Sequence, residues 1–365
     1  MVNLKSDAIE PKQLTPLKYP VYFVCKDIEK WPELINCDRL PSSLESLFDR
    51  CTEGVHVWSV QPYIYLKQHG LDVHLVPRCV PGKICVAPIH YLGLKDLPFN
   101  SYVVACRLDS ARPEICEQQT VINELCLIKS TDHFLPQWVQ PNLKPRDQSR
   151  GSKLENLVFK GSLNNLFEPF RSPEFMERLQ SLGIRLTCTP QAPKEVQIKD
   201  WSDYTQADAL IAVRNLTKYD YTVKPAAKLL NAWSAGCPAI LGEEPAYQAL
   251  RKSELDYIEV RSPDEVIAAL SRLKNNPELY LAMVENGLKR AQEFTPYQIS
   301  LLWRNLLAGS VTEGYEKWLK QSVVQKLIGR PIQFVQRAIQ HKKERKYYLF
   351  NRDYDQRMFA DSEFC

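Results

Sequence analysis

The stretch Ala207–Gly242, ADALIAVRNLTKYDYTVKPAAKLLNAWSAGCPAILG, decides the fold. Its apolar run from Ala209 to Val213 reads as a buried strand that ends at Arg214. A polar loop carrying Lys218 and Lys224 follows, then a helix that begins near Pro225 and stops at Ala235-Gly236. The strand Pro238–Leu241 comes at once. A buried strand, a helix and a second buried strand with short joins make the unit of a parallel sheet covered by helices. Lys228 and Asn231 stand three residues apart, so they share one face of the helix.

The same alternation extends outward in both directions. Upstream of the unit lie an expected strand Asn156–Lys160, helix Ser172–Leu182 and strand Ile184–Cys188. Downstream lie helix Ala246–Ser253, strand Tyr257–Val260 and helices Asp264–Asn275, Pro277–Phe294 and Pro296–Leu307. The first part of the chain has expected strands at Tyr19–Cys25, Leu71–Val76, Lys83–Ala87, Tyr102–Arg107 and Glu124–Ile128, with a helical segment Gly54–Gly70. Between the two series, Asn142–Glu155 is polar and poor in apolar residues, as a linker would be. The expectation is an α/β protein of two Rossmann-like domains, residues 1–145 and 156–309, joined by a linker at 146–155 and followed by a tail at 310–365. A chain of 365 residues agrees with two cores better than one.

Composition narrows the chemistry. Hydrophobic residues at 44% and charged residues at 25% are globular values. Only 13 glycines are present, which speaks against a glycine-rich phosphate loop. The eleven cysteines form no Cys-x-x-Cys pair, and several, such as Cys25, Cys85 and Cys126, sit in apolar runs as small buried hydrophobes. Reduced thiols, an N-terminus (Met1–Asp7) without a signal-peptide core and the lack of a long uncharged apolar run point to the cytoplasm. No zinc-ligand spacing appears, and Asp353-Tyr354-Asp355 is the one acidic pair of a metal-binding type, placed outside both expected sheets. The net charge of +4 belongs to the tail: eleven cations and seven anions follow Val311, and the rest of the chain is neutral. Such a neutral body without a recognition motif disfavours nucleic acid as a partner.

Ligands of open α/β sheets bind beyond the carboxyl ends of the strands. Arg214 lies at such an end, beside the helix start that carries Lys224 and Lys228. A helix N-terminus with several cations suits a diphosphate; a solvated basic loop has the same charge. The pattern Pro225-x-x-Lys228-Leu229-x-Asn231-Ala232-x-x-Ala235-Gly236-x-Pro238-Ala239-Ile240 resembles the donor-binding segment of nucleotide-sugar glycosyltransferases of the GT-B fold, the family 1/4-like group.

The resemblance implies two Rossmann-like domains facing across a cleft, and transfer of a sugar, a hexose by expectation, to an acceptor hydroxyl. It implies no metal or other cofactor, and Lys228 facing the donor diphosphate. Asn231 stands where the family usually has a ribose-binding glutamate, and Val223 where many retaining members have a second one. Lys160 and Gly161 end the first strand of the second series, as donor phosphate contacts or as a plain turn. Gly242 and Glu243 open the loop that lies near the donor sugar in the family; Glu243 reads as a hydroxyl acceptor or as a helix-dipole partner. His56 and Asp109 are the candidate bases on the acceptor side, with a structural histidine and a loop-tying Arg107–Asp109 pair as the plainer readings. The acceptor itself, whether saccharide, lipid-linked or small molecule, is open. A nucleotide-sugar epimerase and a non-catalytic scaffold on the same fold are the rival functions.

In the tail, Val311–Phe350 holds nine cations and three anions, with apolar residues at helical spacing. Two amphipathic helices hinged at Gly329-Arg330-Pro331 are expected, either packing back on the first domain, lying on an anionic membrane face, or contacting another protein or a nucleic acid.

Overall fold

The computed structural model describes residues 12–359, apart from the side chain of Leu94; the N-terminal Met1–Asp7 lies outside these residues. Two wholly parallel sheets are present. The first has the order β2-β1-β3-β4-β5-β6, with β1 Val21–Val24, β2 Val73–Val76, β3 Ile84–Pro88, β4 Tyr102–Cys106, β5 Gln118–Val121 and β6 Asp132–Phe134. The second has the order β11-β10-β9-β7-β8, with β7 Asn156–Phe159, β8 Arg185–Cys188, β9 Ala209–Ala212, β10 Ala239–Leu241 and β11 Ile258–Glu259. Helices flank both, so the α/β architecture of two Rossmann-like units with a helical tail is the one expected from the sequence. The strand order reverses between β1 and β3 in the first sheet and between β7 and β9 in the second. Those two switch points are where such sheets open a crevice.

The central strands β3, β4 and β9 are buried along their whole length, as near-continuous apolar runs should be. Strand β5 is buried too, although it reads Gln118-Gln119-Thr120-Val121. Its amide nitrogens are satisfied inside: Gln118 Nε2 donates to Tyr102 Oη at 2.7 Å and Gln119 Nε2 to Asp132 Oδ1 at 2.7 Å. The expected strand Glu124–Ile128 is instead a single 3-10 turn, Glu124–Cys126, begun by the Asn123 side chain. Leu125, Leu127 and Ile128 are exposed there. Apolarity alone misplaced that strand, because β5 hides glutamines whose amide nitrogens find partners on β4, β6 and the tail.

The segment that joins the units is fastened to the second one. Arg146 Nη2 (3.0 Å) and Arg150 Nε and Nη2 (each 2.7 Å) donate to the carboxylate of fully buried Asp208. The backbone N–H groups of Glu155 and Asn156 add two more bonds at 2.9 Å. Ser172 and Ser262 cap their helices as expected, accepting from Phe175 N and Glu265 N.

The return to the first unit begins at helix Pro296–Leu306, whose Trp303 packs on Phe23 and Trp58. After a kink at Gly309 (φ −93°, ψ −108°), helix Thr312–Leu319 continues over the same sheet, with Tyr315 Oη donating to Gly82 O. The chain then turns at Lys320–Ser322, and a helical run reaches Tyr354. The hinge expected at Gly329-Arg330-Pro331 is absent: Gly329 is helical (φ −62°, ψ −47°). The π-helical turns Gln325–Gly329 just before it loosen the i→i−4 ladder, so the proline, lacking an N–H, follows without breaking the helix.

Asp208 gives the first test. Burial raises its pKa, but the bonds from Arg150, the two backbone N–H groups and Arg146 outweigh this and hold it below the usual carboxylate value. A lowered folded pKa means that its stabilisation is present above about pH 4 and fades as the pH falls. Asp208→Ala leaves two guanidinium groups without their carboxylate, and should cost about 3–5 kcal/mol in urea unfolding at neutral pH. A loss below about 1 kcal/mol would show that the joining segment is held by other contacts.

Candidate functional site

The carboxyl ends of β7 and β9 flank the switch point of the second sheet. Helix Ala227–Ala235 starts there, and Lys228 in its first turn brings its ammonium over the end of β7. Lys228 Nζ donates to the carbonyl oxygen of Lys160 and lies 5.0 Å from the centre of the Phe159 ring. Gly161 allows this approach. It has φ +153°, and a Cβ there would sit 2.8 Å from Lys228 Nζ. The Gly161 N–H donates to Thr189 Oγ1 at 3.0 Å, which fixes the turn.

The helix start is uncapped. Its N-cap is Ala226, with no side-chain bond to the first-turn N–H groups, whereas helices beginning after Ser172, Ser262, Asn276 and Thr295 are all capped by their side chains. Free N–H groups and an ammonium therefore share one corner. Burial first, and then the positive charge of nearby Arg214, push the Lys228 pKa down to about 7, against the ordinary 10.5; Glu244 offsets this in part.

Of the other cations singled out in the sequence, Lys218 donates to Gln356 Oε1 at 2.8 Å, and three are neutralised by carboxylates. Arg214 forms a two-pronged pair with Glu244, with Nε to Oε1 at 2.8 Å and Nη2 to Oε2; the carboxylate is fully buried. Lys224 Nζ reaches Asp109 Oδ2 at 3.0 Å and Asp220 Oδ1 at 3.3 Å. Lys160 Nζ binds Asp200 Oδ1 at 2.9 Å. It borders a cavity of about 580 Å³ that Lys144, Arg185, Asp200 and Asp203 also line. Lys160 thus serves Lys228 through its carbonyl, and its own ammonium is engaged elsewhere. Among Lys160, Arg214, Lys224 and Lys228, only the last has no acidic partner.

Three further positions take roles other than those expected. Asn231 is turned to the first unit, where its Oδ1 accepts from Gln140 N at 2.9 Å, a contact between the units. Glu243 accepts from Arg261, while its neighbour Glu244 is the carboxylate that faces Arg214. Gly242 is buried against β9, its N–H donating to Ala212 O at 2.9 Å. The acidic pair in the tail is split: Asp353 binds Arg352, and Asp355 accepts from Tyr219 N. Among the described residues, no three His, Cys, Asp or Glu side chains converge as a metal site would need.

At the switch point of the first sheet the central group is Asp27, which nothing local in the sequence marks. It follows β1 and receives bonds from His56 Nε2 (2.8 Å), Tyr91 Oη (2.5 Å) and Lys30 Nζ (2.7 Å). Burial raises its pKa, yet these three donors hold the carboxyl well below its usual range. His56 is fully buried, its Nδ1 accepting from Glu53 N at 3.3 Å. Both of its ring nitrogens are occupied, so it orients Asp27 and has no free nitrogen for an acceptor proton. Asp109 is different: its side chain is 51% exposed, and its pair with Lys224 spans the two units. Arg107 does not pair with it but donates to Ser110 O.

The units touch beside the crevice. Asn123 Nδ2 donates to Lys224 O at 3.1 Å and Tyr221 O at 3.3 Å, and a gap of only about 20 Å³ remains where Ile122 and Phe134 face Ala226 and Leu230. The tail strap closes the outer side. Tyr348 Oη donates to Asp109 O at 2.8 Å, and Arg357 and Phe359 bind Asn215 in the loop after β9.

The sequence matches no family model and no curated protein. Similar folds are found among solved glycosyltransferase structures. AviGT4, a glycosyltransferase involved in avilamycin A biosynthesis, is 15% identical, with 80% of this chain and 99% of that chain covered and a TM-score of 0.46. HepE of Anabaena, solved in complex with UDP, is 9% identical, with 81% and 100% covered and a TM-score of 0.45. Sucrose-phosphate synthase from Thermosynechococcus elongatus is 14% identical, with 74% and 81% covered and a TM-score of 0.43.

Gly161→Ala tests the corner. A side chain must adopt the left-handed φ and displace the Lys228 ammonium. The variant should lose about 1–3 kcal/mol of stability in denaturant unfolding. An unchanged stability would mean that this backbone can relax and that Lys228 does not depend on the glycine.

Proposed function

We propose that the chain is a glycosyltransferase that takes a sugar from a nucleotide-sugar donor and passes it to an acceptor hydroxyl. The observation that carries this reading is Lys228: an ammonium at the switch point, set against an uncapped helix start, without a carboxylate partner. Such a corner lacks an anion, and a diphosphate has the charge and the acceptor oxygens to fill it. When the bond to the anomeric carbon breaks, negative charge grows on the leaving diphosphate. Lys228 and the helix N–H groups would already be oriented towards it, which lowers the barrier without a metal ion.

Lys160, Arg214 and Lys224 act at one remove. Lys160 holds Lys228 by its carbonyl, Arg214 with Glu244 sets the local potential, and Lys224 with Asp109 latches the units together. On the acceptor side, Asp109 is the base candidate exposed towards the second unit, and it becomes available when the latch opens.

A second reading has a specific observation in its favour. Asn231 Oδ1 already accepts from Gln140 N, so a ribose would have to share this side chain with the contact between the units. A protein that binds a nucleoside diphosphate without transferring a sugar would tolerate that arrangement.

A thermal-shift panel of UDP-, GDP-, ADP-, CMP- and dTDP-sugars tests both. A matching donor at a hundredfold excess over its Kd stabilises by about 2.7 kcal/mol. Lys228→Ala removes a charge-assisted bond of about 1.5–3 kcal/mol and should weaken binding by roughly ten- to a hundredfold. Binding should also depend on pH in a defined direction. A bound diphosphate raises the Lys228 pKa above its free value of about 7, so the complex takes up a proton. Affinity is then constant below pH 7 and falls by up to about tenfold per unit above it. No shift with any donor would refute the transferase reading. A shift without sugar transfer or donor hydrolysis would favour the binding protein.

A further inference from the structure

The long tail helix covers the first unit with one face only. Ala338 and Phe334 pack on it, Arg337 pairs with Glu117, and Arg330 stacks on Trp318 at 3.4 Å. On the outward side the aliphatic residues stand in water. Val323 is 69% exposed, Leu327 72%, Ile332 54% and Ile339 55%, with Val324, Ile328 and Val335 beside them. Ile328, Ile332, Val335 and Ile339 follow the i, i+4, i+7, i+11 spacing of a single helical stripe. The stripe then changes character without changing face: Lys342, Lys343 and Lys346 are exposed next, and exposed Phe350 and Tyr354 close the helix. From Lys320 to Phe350 the chain carries eight cations and one anion, Glu344.

We propose that this outward face docks on a lipid bilayer with anionic headgroups, the Val323–Ile328 end entering the hydrocarbon boundary and the lysines lying among the headgroups. Charge complementarity selects the occupant. A second copy of the chain would bring these lysines against its own lysines if parallel, or against its aliphatic residues if antiparallel, whereas an anionic surface supplies the opposite sign and an apolar layer just below it. None of the helices is long and apolar enough to cross a membrane among the described residues, so the helix lies on the surface and does not span it. Aliphatic tips also give a nucleic acid nothing to pair with. The strap gives docking a direction: the same helix carries Tyr348, and the chain just past its end carries Asp355 and Phe359, which contact Asp109, Tyr219 and Asn215 around the crevice. This inference does not depend on the donor reading.

Vesicle flotation of the full chain tests it, with phosphatidylcholine vesicles compared with vesicles that also contain phosphatidylserine. The chain should float with the anionic vesicles, stay behind with the neutral ones, and release as salt is raised. The double substitution Leu327→Asp/Ile332→Asp should lower binding about tenfold or more, at an unchanged melting temperature because both positions are exposed. Lys342→Glu/Lys343→Glu/Lys346→Glu should do the same with the aliphatic stripe intact. No flotation at low salt, or flotation unaffected by either variant, overturns the proposal. So does a concentration-dependent dimer in sedimentation velocity that Leu327→Asp disperses, since that result assigns the face to a second copy.

Discussion

The contact between the Lys228 ammonium and the Lys160 carbonyl is the one on which the second unit's crevice depends. A lysine in a half-buried corner ordinarily finds a carboxylate or escapes to solvent. Here it meets a carbonyl, an aromatic face and the bare Cα of a glycine, beside a guanidinium of the same sign. Each neighbour is fixed by something else. Thr189 holds the Gly161 turn, Glu244 holds Arg214, and the helix is anchored by buried Leu229, Leu230 and Trp233. The charge is thus held in place at a cost, and an anion that enters the corner relieves it.

Around that corner, opposite charges are paired and used as fasteners. Asp208 binds the joining segment to the second unit, Asp109 and Lys224 meet across the units, and Arg337 with Glu117 seats the tail. Aromatic packing does the rest, with Trp303 against Phe23 and Trp58, and Phe359 stacked on Phe167. The +4 charge of the chain resides in the tail that wraps this assembly, and its unpaired lysines point away from the protein.

Much of the architecture was legible in the sequence because buried parallel strands are short apolar runs between helix signals. Ala209–Val213, Pro238–Leu241 and Tyr102–Arg107 could be read directly. Strand β5 could not, since Gln118, Gln119 and Thr120 are polar and the burial of the two glutamine amides depends on partners from β4, β6 and the tail. Helix Lys194–Ser202 escaped for the same kind of reason, having no clear apolar face. In the site, Lys228 and Gly161 were legible from their places at a helix start and a strand end. The partners were not. Nothing in the sequence ties Arg214 to Glu244 or Asn231 to Gln140, and Asp27 became central only when the fold brought His56, Tyr91 and Lys30 to it.

The state of the Lys228 ammonium can be observed directly by NMR on protein carrying carbon-13 at the lysine Cε, titrated with and without a nucleoside diphosphate. One lysine should titrate near pH 7, vanish in Lys228→Ala, and move well upward when UDP or the matching diphosphate is bound. If every lysine titrates near the ordinary 10.5, or the low one ignores the diphosphate, the corner is not a waiting anion site.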